Sequence, residues 1–134
     1  MGVDQRLVDA AIAFIDRRFR GRADKGASAM YTADGDILLS TAIAVVNDSV
    51  SLCHEAGAMC EAYARDKHIA ATVCVHKDER SRYLILPPCG VCQERLWYWG
   101  GDVDVAVPLA SDNTQWESIK LQALCPHYWR TPFM

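Results

Sequence analysis

Positive charge is in short supply in this chain. Fourteen Lys and Arg stand against seventeen Asp and Glu, for a net charge of -3 and a pI near 5.7. A protein that grips polynucleotide usually carries a clear basic surplus, so a polynucleotide substrate is not expected. Long hydrophobic runs are missing too. None approaches the roughly 18 apolar residues that a membrane-spanning helix needs. The stretch Met1 to Arg20 is amphipathic with charges throughout. It lacks the apolar stretch of a secretory leader, which points to the cytoplasm. In that compartment thiols stay reduced, so the six cysteines are not read as disulfide staples. There is no internal repeat, linker or low-complexity tract. The 134 residues suit a single domain over 1–134, long enough to bury its own core.

What the chain does have is a pattern of interleaved strands and helices. From Val3 to Arg18, apolar residues at Leu7, Val8, Ala11, Phe14 and Ile15 recur every three or four positions, predicting a helix with one buried face. Ala27 to Tyr31 and Ile37 to Leu39 flank Asp34-Gly35 and read as a hairpin, with Ala42 to Val46 a candidate extension of its second strand. From Ser51 to about Asp66 the pattern is helical, with Ser49 or Ser51 as a cap. Ile69 to Val75 is an apolar, β-branched run that suits a strand buried on both faces. Tyr83 to Leu86 is another strand, stopped by Pro87-Pro88. Cys89 to Trp99 reads as a helix ended by Gly100-Gly101, Val103 to Val107 as a strand and Ser118 to Leu124 as a short helix. Such alternation predicts a helix-covered α/β sheet.

The chemistry lies in two short segments, Cys53-His54-Glu55 and Pro88-Cys89-Gly90-Val91-Cys92. Three thiolates make a tight ligand set for zinc, and three protein ligands leave a fourth position for water, as in a catalytic zinc site. A Cys-x-x-Cys at a helix start lets both sulfurs reach one ion, where backbone N–H groups favour thiolate. Glu55, two residues beyond Cys53, is more useful beside the metal than on it. It can take a proton from water and pass it to a ring nitrogen and a leaving amine. Three Cys with a non-ligand Glu and a Pro-Cys-x-x-Cys is the layout of zinc nucleobase deaminases. A zinc knuckle, buried free thiols and a redox Cys-x-x-Cys are the alternatives. Cys60, Cys74 and Cys125 sit among apolar neighbours and read as small core residues.

By these motifs the chain resembles the cytidine deaminase superfamily, in particular the small homotetrameric cytidine deaminases and blasticidin S deaminases. Their Cys-Ala-Glu and Pro-Cys-Gly-x-Cys segments match Cys53-His54-Glu55 and Pro88 to Cys92. The resemblance covers nearly the whole chain, including the Asp34-Gly35 hairpin and a terminal segment, Leu121 to Trp129. It implies a three-layer αβα sandwich around a five-stranded mixed sheet. It also implies one zinc per chain and sites built at the interfaces of a homo-oligomer, a tetramer. Pro87 is implied as a carbonyl acceptor for the leaving group, the His54 backbone as a substrate contact, and Trp129 as an aromatic stacking on substrate in a neighbour's site.

The chain departs from that family at several places. Where the family holds ribose hydroxyls with Asn and Glu, an ungapped count puts Ala42 and Ala44. A buried hydroxyl left unpaired costs about 1–3 kcal/mol, so ordinary cytidine is expected to bind poorly. Asn47 is a substitute only with a gap. Gln93 replaces an Arg that softens the thiolate charge. The His54 imidazole is open to three readings: a zinc ligand, a substrate contact, or packing. Arg17 to Lys25 reads as a solvated helix end, or as cations that neutralise a carboxylate or phosphate on the substrate. The expected activity is zinc-dependent hydrolytic deamination of a cytosine nucleoside, a blasticidin S-like nucleoside antibiotic or a related small amino-heterocycle. The alternatives are a free aminopyrimidine base or other ribose-free compound, or a non-catalytic zinc-stabilised scaffold. Glu55 argues against the scaffold, since a structural site has no use for that carboxylate.

Overall fold

The computed structural model describes residues 2–134. It opens with α1 (Gln5–Arg18), whose start is capped by Asp4 accepting the Leu7 N–H at 2.9 Å. The same carboxylate accepts the Tyr31 hydroxyl at 2.8 Å, which ties the helix to the sheet. Next come β1 (Lys25–Thr32) and β2 (Ile37–Ser40), then α2 (Ala56–Ala64) and β3 (Ile69–Lys77). The chain continues through β4 (Tyr83–Leu86), α3 (Gly90–Leu96), β5 (Asp104–Leu109), β6 (Asp112–Lys120) and α4 (Leu121–Leu124).

The strands form one mixed sheet in the order β2-β1-β3-β5-β6, with β4 also on β3. Two cores lie on its two faces. On one, Leu7, Val8, Ala11 and Ile15 of α1 pack over Ala27, Ala29, Ala71, Val73 and Val75. On the other, Ala58, Met59 and Ala62 of α2 and Cys92 and Leu96 of α3 pack over Met30, Ile69 and Val105. Alternate residues of β1 serve opposite cores, Ala27, Ala29 and Tyr31 against Met30, as the two-residue period of a strand requires. In β3 that period holds from Ala71 to Val75, and a register shift before Ala71 leaves Ile69 on the α2 side. The αβα sandwich expected from the sequence is present.

One edge of β3 is shared. Ala71 and Thr72 pair with β5 in parallel, whereas Cys74 to Lys77 pair with β4 antiparallel, Cys74 opposite Leu86. The two partners diverge at residue 74. Pro87 and Pro88 follow directly from β4 at that split, and carry Cys89 onto the same face as α2.

Four local expectations need correcting. The strand β6 was not anticipated. Its polar sequence, DNTQWESIK, leaves it largely exposed at the sheet edge, so Ser118 to Lys120 are strand and only Leu121 to Leu124 are helix. Ala42 to Val46 do not extend β2. Ser40 and Thr41 turn their hydroxyls to the carbonyls of His54 and Gly26, each at 2.6 Å. Neither Ser49 nor Ser51 caps α2, because Asn47 captures the Ser49 N–H at 3.0 Å and winds Asp48–Val50 into a separate 3-10 turn. Finally, α3 ends at Leu96, and Trp97–Trp99 tighten into a 3-10 turn closed by Gly100 at φ 100°.

Candidate active site

The N-terminal ends of α2 and α3 meet beside the β3 split. Cys53 lies just before α2, and Cys89 and Cys92 flank the start of α3. Their three sulfurs all lie within 4.8 Å of one another, with Cys53 and Cys89 Sγ 3.2 Å apart. Sulfurs about 2.3 Å from one tetrahedral zinc stand about 3.8 Å apart, so the donor set fits such an ion in number, type and spacing. Among the described residues this is the one cluster of three metal-ligating side chains.

Electrostatics differ among the three thiols. Burial pushes Cys53 up, helped by the neighbouring Cys89. Cys92 is fully buried and is pushed up by that burial and by the charge of Glu55. At Cys89 burial also opposes ionisation, but the backbone N–H groups of Cys92 and Val91 and the Cys53 thiol outweigh it and bring the thiol below its ordinary value. Cys89 is thus the most readily ionised thiol of the three.

A cleft of about 260 Å³ opens over these sulfurs, lined by Leu52, Cys53, His54, Glu55, Pro87 and Cys89, with Cys74 and Leu86 behind. Glu55 is only 4 % exposed. Burial raises its carboxyl above the ordinary value, opposed by its own backbone N–H, the Cys74 thiol and the charge of Arg95. A carboxyl so placed holds and releases a proton closer to neutrality than a solvated one.

Of the three cysteines read from the sequence as core residues, Cys60 is exposed and Cys125 half-buried, so neither belongs to the core, and Cys74 has a second place. It is buried, yet it also lines the cleft together with Glu55. Burial and the Glu55 charge push its thiol up, so it stays protonated. Only the strand register, with Cys74 facing the α2 side opposite Leu86, exposes this second role.

The other candidate residues separate in space. His54 is held by its ring: Nδ1 accepts the Ala42 N–H at 3.0 Å, and Gly26 leaves room for Nε2. Burial and the nearby His76 push its pKa down, so the ring is neutral. The imidazole therefore packs between β1 and the segment after β2, and its nitrogens are not in the sulfur cluster. Ala42 and Ala44 line a second cleft of about 430 Å³ on the far side of His54. Gln93 Nε2 donates to the Pro88 carbonyl at 2.8 Å, and its Oε1 accepts the Cys125 thiol at 2.8 Å. It thus braces the loop that carries Cys89. Trp129 is exposed, donates to Glu94 at 3.1 Å and does not line the cleft of its own chain.

Comparison with known proteins decides the family. The chain is 37% identical to the cytidine deaminase from Bacillus anthracis, with a TM-score of 0.84, over 96% of this chain and 91% of that one. The chain belongs to the cytidine deaminase superfamily. It is a hydrolytic deaminase, an enzyme of C–N bonds. The cytidine deaminase from Burkholderia pseudomallei has the same fold at 18% identity, with a TM-score of 0.72 over 95% of this chain and 99% of that one. The cytidine deaminase from Mycobacterium leprae shares it at 20% identity and a TM-score of 0.67, covering 91% and 96%. No protein-family model matches the chain, and no curated protein matches it. Among the described residues, no helix of this deaminase is long and apolar enough to cross a membrane.

Proposed function

We propose that this deaminase releases ammonia from a small amino-substituted heterocycle, with Cys53, Cys89 and Cys92 holding one zinc ion. When bound, the ion supplies Lewis acidity for the activation of water. Glu55 does the proton work. Its carboxylate accepts a proton from the attacking water and passes it to the ring nitrogen, then accepts the remaining proton from the newly added hydroxyl and passes it to the departing amine, so that it ends as it began. The Cys74 thiol, on the same cleft, helps to hold the charged form of Glu55. Leu52, Leu86 and Pro87 keep bulk water from the reacting carbon, and the Pro87 carbonyl is the acceptor assigned to the leaving group. One observation carries this reading. The buried Glu55 and the Cys53 and Cys89 thiols line one cleft, an arrangement that a structural metal site does not require.

For the rest of the substrate, a cytosine nucleoside or a blasticidin S-like compound is the first candidate. Ala42 and Ala44 favour a second, an aminopyrimidine without a normal ribose, since neither side chain can bond a sugar hydroxyl. The exposed apolar residues Leu52, Tyr63 and Tyr98, which line one groove on the outer face of α2 and α3, support a homo-oligomer, for which a tetramer is the expected form. Trp129 is proposed to reach a neighbouring chain's site within it. Light scattering on the eluting protein measures that state.

The test is ammonia release by metal-analysed protein across cytidine, deoxycytidine, cytosine, isocytosine and blasticidin S, with Glu55→Ala as the blank. Turnover of one or more that vanishes in Glu55→Ala while zinc is retained supports the proposal. A Glu55→Ala protein with near wild-type turnover overturns it.

A further inference from the structure

The second cleft, of about 430 Å³, has a composition that the deamination chemistry does not use. Arg18, Arg22 and Lys25 stand on one side, and Ala42, Ile43 and Ala44 on the other. The three cations converge on a single ring. Arg18 lies 4.7 Å, Arg22 5.8 Å and Lys25 5.3 Å from the centre of Phe19. The backbone builds this cluster. Phe19 ends α1 with its N–H on the Ile15 carbonyl, Gly21 turns left-handed at φ 71°, and the Arg22 N–H returns to the Phe19 carbonyl at 2.9 Å. The chain is folded back so that residues 18, 22 and 25 face one another across a buried phenyl ring.

Like charges gathered this closely repel unless an anion joins them. Among the described residues, Arg18, Arg22 and Lys25 form no ion pair. The one carboxylate on the cleft, Asp24, is directed at His76 Nε2, 3.5 Å away. His54 forms part of the wall of both clefts. The two clefts are thus neighbours, and a molecule with its amino-heterocycle over the sulfurs would find the three cations on the other side of His54.

We infer that the substrate of this deaminase is an anionic amino-heterocycle, whose phosphate or carboxylate is held by Arg18, Arg22 and Lys25 beside the apolar wall of Ala42 and Ala44. Guanidinium groups bind either anion through paired hydrogen bonds. The apolar wall takes the connecting part of the molecule without offering it hydroxyl partners. This inference rests on the deaminase reading for the reacting end of the substrate, but not for the anion itself.

Matched pairs test it. Turnover of cytidine is compared with that of cytidine 5′-monophosphate, and turnover of 1-ethylcytosine with that of 1-carboxymethylcytosine, at low and high salt. The anionic member is expected to have at least a tenfold higher kcat/KM at low salt. That ratio should shrink as salt screens the cations, and it should fall toward one in the R22Q/K25Q variant. R20Q, which removes a charge outside the cleft, should keep the wild-type ratio. The phosphate and carboxylate pairs show which anion is meant. A wild-type ratio near one in both pairs, or an equal loss in R20Q and R22Q/K25Q, overturns the inference and leaves the deaminase reading standing. If no compound is turned over, calorimetric titration of the same four compounds into both proteins decides. Tighter binding of an anion by wild type than by R22Q/K25Q supports the site, and equal binding sinks it.

Discussion

The imidazole of His54 fills the space that a side chain on Gly26 would occupy. A Cβ at Gly26 would stand 2.5 Å from His54 Nε2 and 2.8 Å from the Val75 carbonyl oxygen. Gly26 is thus needed for closeness, not for an unusual backbone angle. Because His54 sits between Cys53 and Glu55, its ring anchors both functional side chains to β1. Gly26→Ala is expected to destabilise the fold by about 1–3 kcal/mol, the range for overpacking a tight site, and to lower kcat/KM. Adding His54→Ala should restore part of the stability, because the contact with the Val75 carbonyl remains. Urea unfolding of the wild type and these two variants measures this; no recovery in the double variant would show that His54 is not the obstructing group.

Metal content gives a second prediction. Cys89 is exposed, so Cys89→Ser should leave folding intact while removing one of three sulfurs. Changing a residue that only supports a ligand costs about 10–100-fold in metal affinity, and loss of a ligand itself should cost at least that. Zinc at about 100 times its Kd adds about 2.7 kcal/mol to stability. Cys89→Ser should forfeit that increment and bind well below one zinc per chain. Cys60→Ser, at an exposed thiol outside the cluster, should keep full occupancy by atomic absorption.

The parts of this protein legible in its sequence are those where local pattern and tertiary role agree. The β-branched run Ile69 to Val75 reads as a doubly buried strand because both helical layers do cover it. The meeting of Cys53, Cys89 and Cys92, with Glu55 on the adjoining cleft, is legible because binding one ion would need that spacing whatever surrounds it. By contrast, β6 carries its information in pairing rather than composition. Asp112 to Lys120 make a strand because β5 offers them a ladder, and a polar edge sequence does not announce that. Cys74 looks like any buried cysteine until the register brings it beside Glu55. The cations around Phe19 look like a solvated helix end until Gly21 folds the chain back. These features depend on contacts between segments far apart in the chain, which periodicity cannot record.

Acid stability should depend on Asp34. Its carboxylate accepts from Lys67 and from the Thr32 hydroxyl, and these bonds lower its pKa from 3.8 to about 2. A carboxyl held low in the folded state stabilises that state once it is ionised. The contribution is complete above about pH 4 and disappears as the pH falls through about 2. Asp34→Asn should therefore flatten the stability profile across that window and leave its shape above pH 5 unchanged. Denaturation midpoints measured from pH 2 to pH 6 check this, and an unaltered acid slope would remove Asp34 from the account.

Two buried threonines should answer the same substitution with opposite signs. Thr72 is 2 % exposed and sits in the middle of the sheet, opposite Met30 on β1 and Val105 on β5. Its hydroxyl has no hydrogen-bond partner in the protein. Thr32, equally buried, accepts the Asp36 N–H at 3.1 Å and donates to Asp34. Valine matches threonine in shape and in strand preference, so the hydroxyl is the only difference. Thr72→Val removes an unpaired buried polar group and should stabilise by about 1 kcal/mol. Thr32→Val strands the Asp36 N–H and should destabilise by about 1–2 kcal/mol. Thermal unfolding of the two variants, with metal content held equal, measures both. A loss of stability in Thr72→Val would mean that its hydroxyl has a partner, such as a bound water between β3 and α2, that the protein atoms alone do not provide.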